Sequence, residues 1–230
     1  MTLPFDAVLF DLDGVLVDTE ALIGTLWADI FAGQGLNLSA PDITRLTSGQ
    51  RFEGVLKALE EGRGWKAPED FLPLLNSRFD AAFDHVPPLE GAADTLQALE
   101  AAGVPFAVAS NSERHRLQLK LRGAGLDEVL AGRAYDPAHV GGRGKPQPEL
   151  YLYAAGQLGA HPSRCLVIED SVPGAAAGLA AGMTVWGLLA GGHILPEDEA
   201  RLRELGVARL LHSHQDLRAA LGLSPVEAQR

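Results

Sequence analysis

The sequence predicts an α/β fold in which a parallel sheet carries helices on both faces and an all-helical segment is inserted after the first strand. Three observations predict it. Apolar runs of strand length recur along the chain, helical patterns alternate with them from Pro87 onward, and the stretch from about Glu20 to Asp84 keeps helical spacing with no strand-like run.

The first element is the run Ala7-Val8-Leu9-Phe10, which reads as a buried parallel strand. The helical stretch follows it. Leu22, Ile23, Leu26, Trp27, Ile30 and Phe31 make one apolar face, Phe52, Val55, Leu56 and Leu59 a second, and Leu72, Leu75, Phe79 and Phe83 a third. Strands then return at Val104 to Ala109, Cys165 to Ile168, Thr184 to Leu188 and, more weakly, Arg209 to Leu211. Strand one therefore belongs to the same unit as the later strands, and the helices form a cap over the strand ends. The expected division is a core of 1–17 and 87–230 with a cap of 18–86, the crossings lying near Val17-Asp18 and Pro87-Pro88, where proline stiffness suits a hinge.

Composition narrows the classes. The chain has 230 residues, 47% of them hydrophobic, and 26 glycines suited to tight turns. Its net charge of −11, without a long Lys/Arg block, argues against nucleic acid and anionic membranes as partners. Cys165 is the one cysteine and sits in an apolar run, so no disulfide forms within the chain. Glycines, Thr184 and a break at Gly182 interrupt the apolar stretch Ala175 to Leu189, against a membrane span, and the repeat Gly174, Gly178, Gly182 lets a helix lie close to its sheet. The start, Met1-Thr2-Leu3-Pro4, has no signal-like segment, making the cytoplasm the expected compartment. A monomer or weak homodimer is the expected state.

Four polar segments stand at or soon after the ends of predicted strands: Asp11-Leu12-Asp13, Ser110-Asn111-Ser112, Lys145-Pro146 and Glu169-Asp170-Ser171. Ligands bind beyond the carboxyl ends of strands in open α/β sheets, so these segments converge on one edge. Gathered there, Asp11, Asp13, Glu169 and Asp170 would repel one another and raise their pKa values unless a divalent cation intervened, and oxygen-only ligands favour Mg²⁺. Asp13-Gly14 also reads as a simple turn, and Asp170 or Ser171 as the N-cap of a helix begun by Val172-Pro173.

With Mg²⁺ beside a phosphoryl group, a carboxylate nucleophile can divide one hard displacement into two easier ones, and Asp11 at the strand end is the candidate. Asp13 is placed to protonate a leaving alkoxide and then deprotonate water, a role that needs its pKa raised, as proximity to Asp11 would do. Lys145 and the Ser110 hydroxyl suit the equatorial oxygens. Gly144-Lys145 is not a P-loop ending, because Pro146 replaces the required Ser or Thr and position 139 is not glycine. Ser110 with Glu113 also spells a capping box, and Asp18 reads as the N-cap of the first cap helix. His115, His161, His193, His212 and His214 lack ligand spacing and read as surface residues.

Asp11-Leu12-Asp13-Gly14 with Asp18-Thr19, Ser110-Asn111, Lys145-Pro146 and Glu169-Asp170-Ser171, in this order, resemble the four signatures of the haloacid dehalogenase-like hydrolases, most closely the branch of β-phosphoglucomutase and small sugar-phosphate phosphatases. The resemblance implies a Rossmann-like core with an inserted helical cap, Mg²⁺ as cofactor and a small phosphorylated metabolite as substrate. It implies Asp11 as nucleophile and metal ligand, Asp13 as acid/base with its carbonyl on the metal, and Asp170 as metal ligand. Glu169 would bind the metal directly or through water, while Ser110 and Lys145, with Asn111 beside them, would hold the phosphoryl group. An aspartate at position 13 argues against true dehalogenases. Mutases of this branch carry a histidine on the first cap helix, where this chain has Ile23, and Ser48-Gly49-Gln50-Arg51 lacks the mutase's glycine-to-arginine spacing, so hydrolysis is favoured over a phosphosugar mutase. Arg51 either contacts a substrate anion or solvates a helix face. A receiver-like phosphorylation switch has a similar pocket, but its phosphoacceptor lies on a middle strand and it lacks a helical insertion.

Overall fold

The computed structural model describes residues 4–47, 52–191 and 196–223. Strand β1 (Ala7–Phe10) is followed by helices α1 (Thr19–Gly33), α2 (Ala40–Thr47), α3 (Phe52–Arg63) and α4 (Phe71–Phe83). Strands and helices then alternate: α5 (Ala92–Ala101), β2 (Phe106–Ala109), α6 (Arg114–Gly123), β3 (Ala134–Tyr135), α7 (Glu149–Gln157), β4 (Cys165–Glu169), α8 (Val172–Ala180), β5 (Thr184–Leu188), α9 (Pro196–Leu205), β6 (Arg209–Leu211) and α10 (His214–Leu221). The six strands form one sheet in the order β3-β2-β1-β4-β5-β6, with every pair parallel. The α/β expectation with a parallel sheet holds. Strand β3, two residues long, was not foreseen.

Every residue of β1, β2 and β4 is buried, as continuous apolar runs require when helices cover both faces. Alternate side chains divide between two cores. Ala7, Leu9, Ala107, Ala109, Cys165 and Val167 pack with α7 and α8, whereas Val8, Phe10, Phe106, Val108, Leu166 and Ile168 join the core that includes α5, α6 and α10. Gly178 lets α8 approach closely, since a Cβ there would lie 2.8 Å from Val185 Cγ2 and 3.2 Å from Val167 Cγ1. Burial in this layer pushes the Cys165 thiol up to about 11, so it packs as a neutral apolar group.

The register positions the site. Phe10 lies opposite Val108 of β2 on one side and Ile168 of β4 on the other, so Asp11, Ser110 and Glu169 leave the sheet at one edge. This is where the strand order reverses, the usual crevice of open α/β sheets.

Helices α1 to α4 pack apolar side chains against one another, in a cluster continuous with the core around Phe10 and Val108. Trp27 stacks on Phe31 at 4.7 Å between ring centroids and meets Phe79 edge-on at 5.4 Å, while Trp65 meets Phe71 at 5.1 Å. The chain enters and leaves this segment side by side: Asp18 N–H donates to Pro87 O at 3.0 Å and Leu89 N–H to Leu16 O at 2.9 Å. Among the described residues no helix is long and apolar enough to cross a membrane.

One expectation about the surface is corrected at the C-terminal helix. His214 is fully buried: its Nε2 lies 2.7 Å from Val15 O and its Nδ1 3.0 Å from Thr95 Oγ1. Burial, opposed by the Val15 carbonyl and aided by Arg218, pulls its pKa down to about 4. The unfolded chain titrates near 6.5, so protons bind the unfolded state better, and the stability from neutral His214 is complete above about pH 6.5 and lost as pH falls toward 4. The full loss is on the order of 3 kcal/mol. Urea midpoints are expected to fall more steeply between these pH values in wild type than in His214→Gln, and parallel curves would contradict this.

Candidate active site

Asp11 extends the ladder by one bond, its N–H donating to Ile168 O at 3.0 Å, so its carboxyl group emerges at the strand end. One carboxylate oxygen each from Asp11, Glu169 and Asp170 lies within 4.8 Å of the others, and all three residues are buried. Lys145 Nζ donates to Asp11 Oδ1 and to Glu169 Oε1, both at 2.6 Å, and faces the Tyr151 ring 4.8 Å from its centroid. Burial pushes the Asp11 pKa well above the usual carboxylate range, with the charges of Glu169, Asp170 and Asp13 pushing the same way and Lys145 opposing. Burial pulls the other way on Lys145, but Asp11 and Glu169 outweigh it and raise its pKa, so the ammonium is charged.

Glu169 is caged. Its Oε1 accepts from Lys145 and from Tyr151 O–H at 2.8 Å; its Oε2 accepts from Asp170 N–H and Ser171 N–H, both at 3.2 Å, and from Ser171 Oγ at 2.8 Å. Burial and then the Glu169 charge push the Tyr151 hydroxyl well up, which keeps it a donor. Gly174 makes room for this cage, because a Cβ there would overlap the Glu169 carboxylate. Ser171 also caps α8 as its plain reading suggests, accepting from Gly174 N–H at 3.2 Å.

The Asp13 carboxylate turns to a different set of partners. Its Oδ1 accepts from Lys120 Nζ and Thr19 Oγ1, both at 2.7 Å, and its Oδ2 from Ser112 Oγ at 3.1 Å. The turn reading holds as well, since Gly14 has φ 76° and donates to Val17 O at 2.9 Å. The expectation that Asp13 is raised by its neighbour Asp11 is overturned. Burial alone would raise it, but the Lys120 charge and the bonds from Lys120, Thr19 and Ser112 together hold it below the usual range. Lys120 was missed from sequence, although it sits on the α6 face of Leu117 and Leu121, where a lysine is out of place unless paired.

Ser110 is buried, its N–H donating to Tyr135 O at 3.0 Å and its Oγ accepting from Ser112 N–H at 3.1 Å. The capping box does not form: α6 begins at Arg114 behind Glu113, which makes no side-chain cap bond. Asp18 likewise stands at the α1 N-cap without a side-chain bond. Asn111, expected beside the phosphoryl group, has both amide atoms engaged elsewhere: Nδ2 donates to Lys145 O at 3.0 Å, and Oδ1 accepts from Lys145 N–H at 2.8 Å. Arg51 and its neighbours Ser48, Gly49 and Gln50 lie outside the described residues.

The donor set suits a hard divalent cation. The carboxylates of Asp11 and Asp170 offer oxygen atoms only in a buried pocket and match Mg²⁺ better than a softer metal. The expectation that Glu169 binds the metal directly is corrected, because both its oxygens are engaged by Lys145, Tyr151, Asp170 N–H and Ser171.

Comparisons with known proteins point the same way. A family profile described as haloacid dehalogenase-like hydrolase matches residues 5–182. The bifunctional riboflavin kinase/FMN phosphatase of Arabidopsis thaliana is 31% identical over 77% of this chain, which spans only 47% of that protein's length. Hexitol phosphatase A of Escherichia coli (strain K12) is 29% identical, with 91% of each chain covered. Among solved structures, a HAD family hydrolase from Deinococcus radiodurans R1 with bound phosphate and sodium is 56% identical, with a TM-score of 0.88 over 98% of this chain and 100% of its own.

Proposed function

The chain belongs to the haloacid dehalogenase-like hydrolases, and from that premise we propose that it is a Mg²⁺-dependent phosphatase of small phosphorylated metabolites, sugar or polyol phosphates in particular. One observation carries the reading: Asp11, Glu169 and Asp170 converge with the Lys145 ammonium at the edge of the sheet. The hexitol and FMN phosphatases among its relatives, and the phosphate bound in the Deinococcus radiodurans structure, support the same chemistry.

In this reading an Asp11 carboxylate oxygen attacks phosphorus, the P–O bond to the alcohol breaks, and the alkoxide leaves with a proton. Water then attacks the resulting aspartyl phosphate, giving a proton to a base and restoring Asp11. Lys145 and Ser110 hold the equatorial oxygens. Asp13 takes up a proton from solvent as the substrate's negative charge enters beside it, passes that proton to the leaving alkoxide and then receives one from the attacking water; between turnovers Lys120 returns it to its ionised form. Asp11, Asp170 and the main-chain carbonyl of Asp13 would hold Mg²⁺, which neutralises phosphoryl charge when bound. Glu169 anchors Lys145 beside it. Residues 18–86 act as the cap that excludes water and selects the substrate, and Ile23, in place of the mutases' histidine, favours hydrolysis.

The test is a screen of phosphorylated metabolites and p-nitrophenyl phosphate for phosphate release in millimolar Mg²⁺. Release that is lost on chelation and returns with Mg²⁺ is expected. No release from any compound, or full release in chelator, would overturn the proposal.

A further inference from the structure

Lys145 is carried by a loop that lacks a regular element, between the single turn of Pro137–Val140 and α7. Gly141 and Gly142 both have positive φ, at 64° and 84°, and local turns such as Gly144 N–H to Gly142 O at 3.1 Å are the loop's own bonds. Such a glycine-rich segment loses much freedom on ordering, so a partner outside it must fix where the lysine main chain lies.

Asn111 is that partner. It follows Ser110 at the end of β2, and its side-chain amide meets the main chain of Lys145 as one peptide meets another, donating to the carbonyl at 3.0 Å and accepting from the N–H at 2.8 Å. Aspartate would lose the donor, serine would fall short, and glutamine would be one methylene too long. A second feature serves the same contact. Gly144 does not have positive φ, so glycine is not needed there for its backbone angle; a Cβ at this position would overlap Asn111 Oδ1 and lie 3.1 Å from Pro137 Cγ. We propose that the Asn111 side chain is a positioning group for Lys145, fixing the main chain from which the ammonium reaches Asp11 and Glu169, and does not itself touch the phosphoryl group. This rests on the phosphatase reading given above.

The experiment is a double-mutant cycle of Asn111→Ala and Gly144→Ala, with kcat and KM for p-nitrophenyl phosphate, the melting temperature, and hydrogen exchange at the Lys145 amide. A displacement of about 1 Å at a catalytic group can cost roughly 100-fold, so each single variant is expected to lower kcat about 30- to 100-fold with a smaller change in KM. The double variant is expected to fall within about threefold of the worse single one, because the alanine methyl then occupies the space that Asn111 vacated. Exchange at Lys145 is expected to accelerate by about tenfold or more in Asn111→Ala, which follows from loss of its acceptor. Effects that multiply in the double variant, or a rise in KM with kcat unchanged, would overturn the proposal in favour of direct contact with substrate. A wild-type protein that releases no phosphate would sink the phosphatase reading, and the clamp would then stand or fall on Lys145 exchange, unchanged exchange overturning it. Should Gly144→Ala fail to melt cooperatively, Asn111→Ala decides by the same kcat and exchange criteria.

Discussion

Asp11→Asn is expected to lower phosphate release by at least about 10⁴-fold, since the amide that replaces the carboxylate is not a nucleophile able to form the covalent intermediate. The protein should nevertheless fold. Burial and the charges of Glu169, Asp170 and Asp13 disfavour the charged form of Asp11, so an uncharged amide of the same shape is tolerated there, and Lys145 keeps Glu169 as a partner. Without divalent cations the variant is therefore expected to melt no lower than wild type. Activity within tenfold of wild type would exclude Asp11 as nucleophile, and a large fall in melting temperature would contradict the electrostatic picture.

Lys145→Met is expected to harm both rate and fold. Removing one preorganised donor to a reacting oxyanion costs about 10²- to 10³-fold, and kcat/KM should fall by that much. The ammonium is also the shared partner of Asp11 and Glu169 in a pocket where all three groups are largely buried. Truncating one member of a buried ion pair leaves the others uncompensated, typically at a cost of about 3–5 kcal/mol, and urea midpoints in the absence of Mg²⁺ should fall accordingly. Mg²⁺ should restore part of that stability. A variant as stable as wild type would mean that water, not Lys145, compensates the carboxylates.

The parts of this architecture that could be read from the chain are those governed by periodicity. Ala7–Phe10, Thr184–Leu188 and Arg209–Leu211 are strands within the expected bounds: the first two are short, mostly apolar and buried runs between covering helices, and the third is an edge strand in which Arg209 is exposed and Leu211 buried. The run from Val104 begins later, at Phe106, because Val104 N–H closes the end of α5 on Leu99 O and Pro105 has no N–H to offer. Ala134–Tyr135 is too short to have a period. The site was legible as a set of polar segments at strand ends, since parallel strands must send those ends to one edge. Its second layer was not. Tyr151 beneath Glu169, Lys120 against Asp13 and Asn111 on the Lys145 main chain reach their partners across 18, 107 and 34 residues of sequence, distances that tertiary packing alone spans. The lowered Asp13 pKa is hidden from sequence for the same reason: the charge bonded to it is Lys120, which lies 107 residues away. The burial of His214 has no local signature, because nothing in the nearby sequence marks a helix whose first turn packs under Val15.

Calorimetric titration of Mg²⁺ into wild type and Asp170→Asn tests most directly whether these acidic groups form a single ion site. One ion per chain is expected for wild type, with binding at least about tenfold weaker in the variant. Wild-type protein that takes up no Mg²⁺, or a variant that binds it equally well, would contradict the site.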